Sequence, residues 1–169
     1  MSDFHQSGPV TSLPRLVGGS LEHLETAILK YSGRFPITLV IPMIPSEMDR
    51  PALGRILDEL CKVPYLDTLL ISLNRASPED YARAMKYFER FPGRLVVLWS
   101  ESPAVQAVMA HIQSAGLNVG TPGKGRACWL AVGYLLAEGR TECIAFQDAD
   151  VLNYDREMLA RLVLPAVDP

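Results

Sequence analysis

The sequence predicts an α/β fold in which a mainly parallel sheet carries helices on both faces. Three observations support this fold class, and the first is that short apolar runs alternate with helical patterns along the chain. The runs are continuously apolar, as expected of strands that are buried on both sides. A chain of 169 residues is also long enough for one domain with a sizeable core. We therefore expect one domain over residues 20–169, preceded by a flexible arm over residues 1–19.

The first half of this pattern predicts two strands and two helices. Residues 37–44 are rich in β-forming side chains and predict the first strand, and residues 68–73 predict the second. Residues 51–60 between them have one apolar helical face. Ser77 begins the next helix, because it is an N-cap residue followed by a proline and two acidic residues. The inward side chains of this helix are predicted to be Tyr81, Met85 and Phe88.

The second half predicts two more strands and three helices. Residues 94–99 predict the third strand, and Ser102 begins a helix after it. The inward side chains of that helix are predicted to be Val105, Val108, Met109 and Ile112. A glycine-rich loop over residues 116–125 leads to a helix near residues 126–138 that ends at Gly139. The fourth strand is predicted at residues 141–147, and a last helix at residues 155–164.

Composition excludes several classes of function. The net charge of −3 gives no electrostatic footprint for nucleic acid. No apolar run approaches the roughly 20 residues that cross a bilayer, and the N-terminus has no signal-peptide pattern. The three cysteines form no C-x-x-C pair, which disfavours a zinc site and favours a reducing compartment such as the cytoplasm.

An acidic pair follows the fourth predicted strand. Asp148 and Asp150 flank Ala149 directly after the apolar run of residues 143–146. Ligands of parallel α/β sheets bind beyond the carboxyl ends of the strands, and carboxylate oxygens there suit Mg²⁺ or Mn²⁺. The alternative is a turn in which one of the acids caps backbone N–H groups.

The glycine-rich loop is a candidate phosphate site. Gly123 would let the backbone approach a phosphate closely, and Lys124 supplies a mobile cation. The loop is not a nucleoside-triphosphate P-loop, because Asn118 and Gly125 replace required residues and a helix precedes it. The alternative is a plain interhelical loop with an exposed lysine.

The turns after the first two strands are further candidates. Pro42, Ile44 and Glu47 lie in a proline-rich turn, and Glu47 could accept hydrogen bonds from a nucleoside. The alternative is an acid in the first turn of the following helix. Asn74 follows the second strand and could meet a base or ribose, or simply begin a turn. The two tryptophans, Trp99 and Trp129, are expected to pack in the core.

In combination these motifs resemble the nucleotide-sugar-binding half of GT-A glycosyltransferases. More narrowly, they resemble the group of glucosyl-3-phosphoglycerate synthases and mannosylglycerate synthases. The resemblance covers roughly residues 36–151. Its most distinctive part is the Pro-Gly-Lys-Gly stretch at residues 122–125 with Trp129 one turn later.

The resemblance implies a Rossmann-like donor-binding half of a retaining hexosyltransferase. Such an enzyme moves a sugar from a UDP- or GDP-sugar to a glycerate or phosphoglycerate-type acceptor. By resemblance, Asp148 and Asp150 hold Mg²⁺ or Mn²⁺ and the diphosphate, with Ala149 between them. The other donor-binding residues implied are Pro42, Ile44, Glu47, Asn74, Gly123 and Lys124. No catalytic base or nucleophile is assigned.

The chain departs from the family in length, because GT-A enzymes continue well past the acidic pair. This suggests a donor-binding half whose acceptor half is missing or is supplied by a partner chain or a homo-oligomer. Three alternatives stay open: a non-catalytic nucleotide-sugar-binding or assembly module, a nucleotidyltransferase, and a phospho-receiver or phosphatase-like domain. A nucleotidyltransferase usually carries its glycine-rich phosphate loop directly after the first strand, where this chain has Ile41 to Pro45. A phospho-receiver or phosphatase-like domain places an aspartate on an early strand end, where this chain has Pro42 and Leu73.

Overall fold

A computed structural model of the protein describes residues 20–167. The predicted arm over residues 1–19 lies outside the described residues. The strands are β1 (Ile37–Met43), β2 (Leu66–Leu73), β3 (Arg94–Trp99) and β4 (Cys143–Phe146). The helices are α1 (Leu21–Ser32), α2 (Pro51–Leu60), α3 (Pro78–Phe88), α4 (Pro103–Ser114), α5 (Lys124–Glu138) and α6 (Arg156–Val167). A short 3₁₀ helix, Pro45–Asp49, follows β1.

The four strands form one parallel sheet, which confirms the predicted fold class. Their order is β3-β2-β1-β4, and every neighbouring pair is parallel. The chain winds outward from β1 to β3 and then returns to place β4 on the other side of β1. The carboxyl ends of all four strands therefore meet at one edge, with a topological switch point between β1 and β4.

Alternating side chains of the strands build a core on each face of the sheet. On the larger face, Leu39 of β1 and Leu69 of β2 pack with buried residues of α1, α2, α3 and α6. On the other face, Val40 and Leu70 pack against Ala131 and Leu135 of α5. Helices therefore cover both faces, as the continuously apolar strands predict.

Helix α1 is an element that the sequence reasoning missed. Ser20 is its N-cap and accepts a hydrogen bond from the backbone N–H of His23 at 3.2 Å. Its signal was present, because four apolar residues recur at helical spacing and all contact the main core. They are Leu21, Leu24, Ile28 and Tyr31.

Three predictions of inward-facing side chains were wrong, because other residues of the same helices face the core instead. In α3, Ala84 and Phe88 are buried, and Met85 is turned outward. In α4, Met109 is buried whereas Val108 is exposed. In α5, small residues approach the sheet, and Trp129 lies on the opposite side of the helix with 49% of its surface exposed.

The hydrophobic helices are too short or too polar for a bilayer. Within residues 20–167, no helix has the length and apolar character needed to cross a membrane.

Candidate functional site

An open cavity of about 310 Å³ lies at the carboxyl ends of the strands. All nine residues that the sequence reasoning selected for donor binding lie in its wall: Pro42, Ile44, Glu47, Asn74, Gly123, Lys124, Asp148, Ala149 and Asp150. The wall also contains five residues that the sequence reasoning did not select: Met43, Arg75, Glu101, Pro122 and Arg126. The cavity thus joins five segments that are far apart in the sequence.

The order of the strands sets the order of these residues along the edge. The acidic pair follows β4, the proline-rich turn follows β1, Asn74 follows β2 and Glu101 follows β3. Neighbouring strands of a sheet lie about 4.8 Å apart, so the β3 end of the cavity is on the order of 14 Å from the β4 end. The cavity therefore has an acidic β4 end and a separate β2–β3 end.

The two carboxylates of the acidic pair are exposed to solvent and do not cap backbone N–H groups. Asp148 and Asp150 are exposed, and Ala149 between them is buried. No backbone N–H of residues 20–167 donates to either carboxylate, so the alternative of a capping turn is not what the fold contains. Asp148 instead forms an ion pair with Lys124, and this hydrogen bond raises the pKa of Lys124.

The loop after α4 delivers Lys124 to this end of the cavity. It turns at Gly120, whose φ of 67° lies in the left-handed region that glycine adopts without strain. The side chain of Asn118 accepts a hydrogen bond from the Gly120 N–H at 2.9 Å. Helix α5 then begins at Lys124 with Gly123 as a cap that carries no side chain. As expected, a helix precedes the loop, which is inconsistent with a P-loop.

The proline-rich turn forms the middle of the cavity wall. Strand β4 pairs with β1 only as far as Val40, and the Gln147 N–H bonds to the Val40 carbonyl at 3.0 Å. Pro42 has no N–H, and it lies where β1 has already lost its β4 neighbour. The Glu47 carboxylate sits 3.1 Å from the Arg50 guanidinium and is mostly buried. Glu47 is therefore held in place within the 3₁₀ helix while it lines the cavity.

Asn74 ties the ends of three strands together. Its N–H donates to the Met43 carbonyl at 3.0 Å. Its side-chain amide donates to the Ser72 carbonyl at 2.8 Å and accepts from the Ser100 hydroxyl at 2.7 Å. Asn74 thus lines the cavity, while its amide group is also engaged in structural hydrogen bonds.

The cavity carries charges of both signs. Its acids are Glu47, Glu101, Asp148 and Asp150, and its cations are Arg75, Lys124 and Arg126. Lys124 is paired with Asp148, whereas the guanidinium groups of Arg75 and Arg126 form no ion pair with any residue in 20–167. Two cations are therefore available to an anionic or polar ligand.

The sequence held a signal for three of the missed residues. Glu101 lies two residues after β3, so the rule that selected the other strand ends would have selected it. Arg126 lies in the glycine-rich stretch beside Lys124. Arg75 lies two residues after β2, so the same rule would have selected it, although its backbone conformation has no sequence signal.

Comparisons with known proteins point to one group. No protein-family profile matches the chain. The chain is 37% identical over all 169 residues to a glucosyl-3-phosphoglycerate synthase from Persephonella marina, and it covers 42% of that protein. It is 28% identical over 134 residues to the enzyme of that name from Methanococcoides burtonii, which is 79% of this chain and 33% of that protein. The chain therefore spans less than half the length of these relatives.

Solved structures show the same fold. One is glucosyl-3-phosphoglycerate synthase from Mycobacterium tuberculosis in complex with Mn²⁺, uridine diphosphate and phosphoglyceric acid. It superimposes with a TM-score of 0.56 at 21% identity, over 90% of this chain and 44% of that one. A second structure of that enzyme, with Mn²⁺, UDP-glucose and phosphoglyceric acid, gives the same TM-score over 45% of its chain. The chain is thus similar over its whole length to part of a glucosyl-3-phosphoglycerate synthase, and it shares the fold of the solved enzymes of that name.

Proposed function

We propose that this chain binds the sugar donor of a retaining glycosyltransferase. The donor is a nucleoside diphosphate sugar, and the acceptor is a glycerate or phosphoglycerate-type molecule. The observation that carries this proposal is the convergence of the acidic pair, Lys124 and the turns after β1 and β2 on one cavity. The names of the relatives support the reaction, and the complexes of the M. tuberculosis enzyme with Mn²⁺ and UDP-glucose support the donor class.

The acidic pair fits a hard divalent cation. Within residues 20–167, no group of three or more His, Cys, Asp or Glu side chains is placed to hold a metal by itself. Mg²⁺ and Mn²⁺ do not require such a group, because they take carboxylate oxygens together with waters and substrate phosphates. Asp148 and Asp150 offer two exposed carboxylates on the same cavity wall. A bound cation would supply positive charge next to the departing diphosphate.

Lys124 is the second positive charge at the β4 end. Its ammonium group is exposed and sits on a long flexible side chain, so it can move from Asp148 to a bound phosphate. An exposed ion pair contributes only about 0.2–1 kcal/mol, so breaking it is a small cost. When the anomeric C–O bond breaks, its electron pair passes to the phosphate oxygen, and Lys124 stabilises that charge as it develops.

We propose that the nucleoside lies along the rest of the cavity wall, away from the acidic pair. A diphosphate held by the acidic pair and Lys124 leaves the wall formed by β1, β2 and β3 for the rest of the donor. That wall combines apolar and hydrogen-bonding groups, as a base and ribose require. We assign Pro42, Ile44, Glu47 and Asn74 to it.

The acceptor side is proposed to lie outside this domain. Residues 20–169 form the donor-binding domain, and the region that the longer relatives carry in addition supplies the acceptor pocket. Retention places the new bond on the same face of the sugar as the old one, and the acceptor hydroxyl loses its proton. We assign no base or nucleophile among the described residues. The three free thiols of Cys61, Cys128 and Cys143 favour the cytoplasm as the location.

A non-catalytic binding or assembly module is the second candidate. Large apolar side chains are exposed near β4 and α5, including Leu136 at 71% and Leu152 at 67%. Such side chains suit contact with another copy or a partner chain. This candidate predicts donor binding without sugar transfer when acceptor is added.

Calorimetry with UDP-glucose tests the proposal. We expect binding in the presence of Mn²⁺, little binding after chelation, and loss of the Mn²⁺-dependent part in Asp150→Asn. The matched control is Glu142→Gln, which removes an exposed acid at the amino end of β4, away from the cavity. Equal affinity with and without Mn²⁺, or equal loss in both variants, would contradict the proposal.

A further inference from the structure

The turn after β2 contains an unusual backbone conformation. Arg75 has a φ of 53°, and it is the only non-glycine residue with a positive φ among residues 20–167. A residue with a side chain is strained there, and the conformation persists only where its surroundings hold it. Glycine would adopt it freely, so the presence of arginine indicates a use for the side chain.

Glu101 holds this turn from the neighbouring strand end. One of its carboxylate oxygens accepts the Arg75 N–H at 3.0 Å, and the other accepts the Ala76 N–H at 3.3 Å. Hydrogen bonds to an ionised acceptor are stronger than neutral ones. The Trp99 indole N–H also donates to the Ala76 carbonyl at 2.9 Å. The strained turn is therefore fixed to the end of β3, and Glu101 provides the bonds to the strained residue itself.

The Arg75 side chain is free to meet a ligand. It lines the cavity and is exposed, and no residue within 20–167 forms an ion pair with it. The Glu101 carboxylate, which anchors this turn, already accepts two backbone N–H groups. A planar guanidinium of this kind donates several hydrogen bonds and stacks on flat rings.

We infer that Glu101 is a positioning residue that holds Arg75 so that its guanidinium contacts the nucleoside of the donor. This inference rests on the donor-binding function proposed above and names the part of the donor that the β2–β3 end recognises. The strand order carries the assignment to the nucleoside. Arg75 follows β2, two strands from the acidic pair, and β1 lies between them. The diphosphate belongs at the acidic β4 end.

The inference predicts a selective loss of affinity. Calorimetry would compare the binding of UDP and of pyrophosphate, each with Mn²⁺, to the chain and its variants. We expect Glu101→Ala and Arg75→Gly each to weaken UDP binding roughly tenfold, since a charged hydrogen bond is lost. Pyrophosphate binding should stay within about twofold of the unchanged chain, because only the nucleoside contact is removed. Glu101→Gln keeps one acceptor oxygen and should give an intermediate UDP affinity.

A double variant separates positioning from general support of the fold. If Glu101 acts through Arg75, the variant with both substitutions binds UDP no more weakly than either single variant. Additive losses overturn the inference, and so does equal weakening of UDP and pyrophosphate, which is what a loosened fold produces. Unchanged UDP binding in Arg75→Gly also overturns it. Failure of the unsubstituted chain to bind UDP at all would instead count against the proposed function.

Discussion

Lys124, the first residue of α5, forms an ion pair with Asp148, which follows β4. The two residues are 24 positions apart in the sequence, and the pair joins the glycine-rich loop to the acidic pair. The lysine that is proposed to bind the donor diphosphate therefore occupies a carboxylate that is proposed to bind the metal. We expect the binding of metal and of donor to be coupled. A metal on Asp148 frees Lys124 to bind the diphosphate, and a diphosphate bound to Lys124 frees Asp148 to bind the metal.

Lys124→Met is expected to change the two affinities in opposite directions. Mn²⁺ alone should bind roughly two- to fivefold more tightly, because the competing ammonium is gone. UDP in the presence of Mn²⁺ should bind more weakly, because a cation next to the phosphates is lost. Titrations of Mn²⁺ with and without UDP measure both.

The matched control for this prediction is Lys86→Met on α3. Lys86 is an exposed lysine that lies outside the cavity wall, so both affinities should stay unchanged. Weaker Mn²⁺ binding in Lys124→Met would contradict the coupling, because it would mean that Lys124 supports the metal site.

Two glycines of α5 are expected to respond oppositely to alanine. Gly139 caps the helix with a φ of 69°, and its N–H donates to the Leu135 carbonyl at 3.1 Å. Gly139→Ala should lower the free energy of unfolding by about 1 kcal/mol. Gly133 lies inside the helix with open space around it, so Gly133→Ala should raise the free energy by about 0.5–1 kcal/mol. Urea unfolding measures both, and a change of the same sign in both would contradict the prediction.

Two adjacent leucines of α5 test the core on the second face of the sheet. Leu135 is buried against Val40 and Leu70, whereas Leu136 points outward. Leu135→Ala should lower the free energy of unfolding by about 2–5 kcal/mol, since it removes a buried side chain and leaves a cavity. Leu136→Ala should change the free energy by less than about 0.5 kcal/mol. Equal effects of the two substitutions would show that α5 packs in another orientation.

The buried hydroxyl of Tyr65 should make the fold sensitive to alkaline pH. Burial raises the pKa of Tyr65 above its ordinary value of 10.0, and Glu25 and Tyr154 add to the effect. The unfolded chain then releases the Tyr65 proton first, so stability is unaffected below pH 10 and falls as the pH rises toward the folded pKa. Melting temperatures across this range measure the slope.

Tyr65→Phe provides the comparison for the alkaline slope. None of the residues 20–167 accepts a hydrogen bond from the Tyr65 hydroxyl, so its removal should not lower the melting temperature at neutral pH. The alkaline loss of stability should become smaller in this variant. An unchanged slope would mean that other groups, such as Tyr154, dominate it.

The sequence predicted the helices and strands whose buried residues recur at one regular spacing. Helix α2 has the predicted bounds because its apolar residues lie on one face and five of them are buried. Trp129 was misplaced because residue size alone suggested the core, while close packing of α5 on the sheet selects small residues. The fold class was predicted because alternation of strands and helices leaves few other arrangements.

The sequence predicted those residues of the cavity wall that were selected for their position after a strand. Seven of the nine selected residues share the cavity wall because parallel strands bring their carboxyl ends together, whereas Gly123 and Lys124 reach it from the loop before α5. Their proposed roles in binding stay predictions. Arg75 was missed although it follows β2 by two residues, whereas its left-handed φ has no sequence signature, and its N–H bonds to a carboxylate 26 residues away.

Strand β1 continues for three residues, Ile41 to Met43, beyond Val40, the last residue paired with β4. An exposed strand edge normally invites a passing peptide to add itself to the sheet. Pro42 offers no donor on this stretch, so such a peptide gains little there. An added strand therefore cannot complete its hydrogen bonds along this stretch of β1, which stays available as part of the cavity wall.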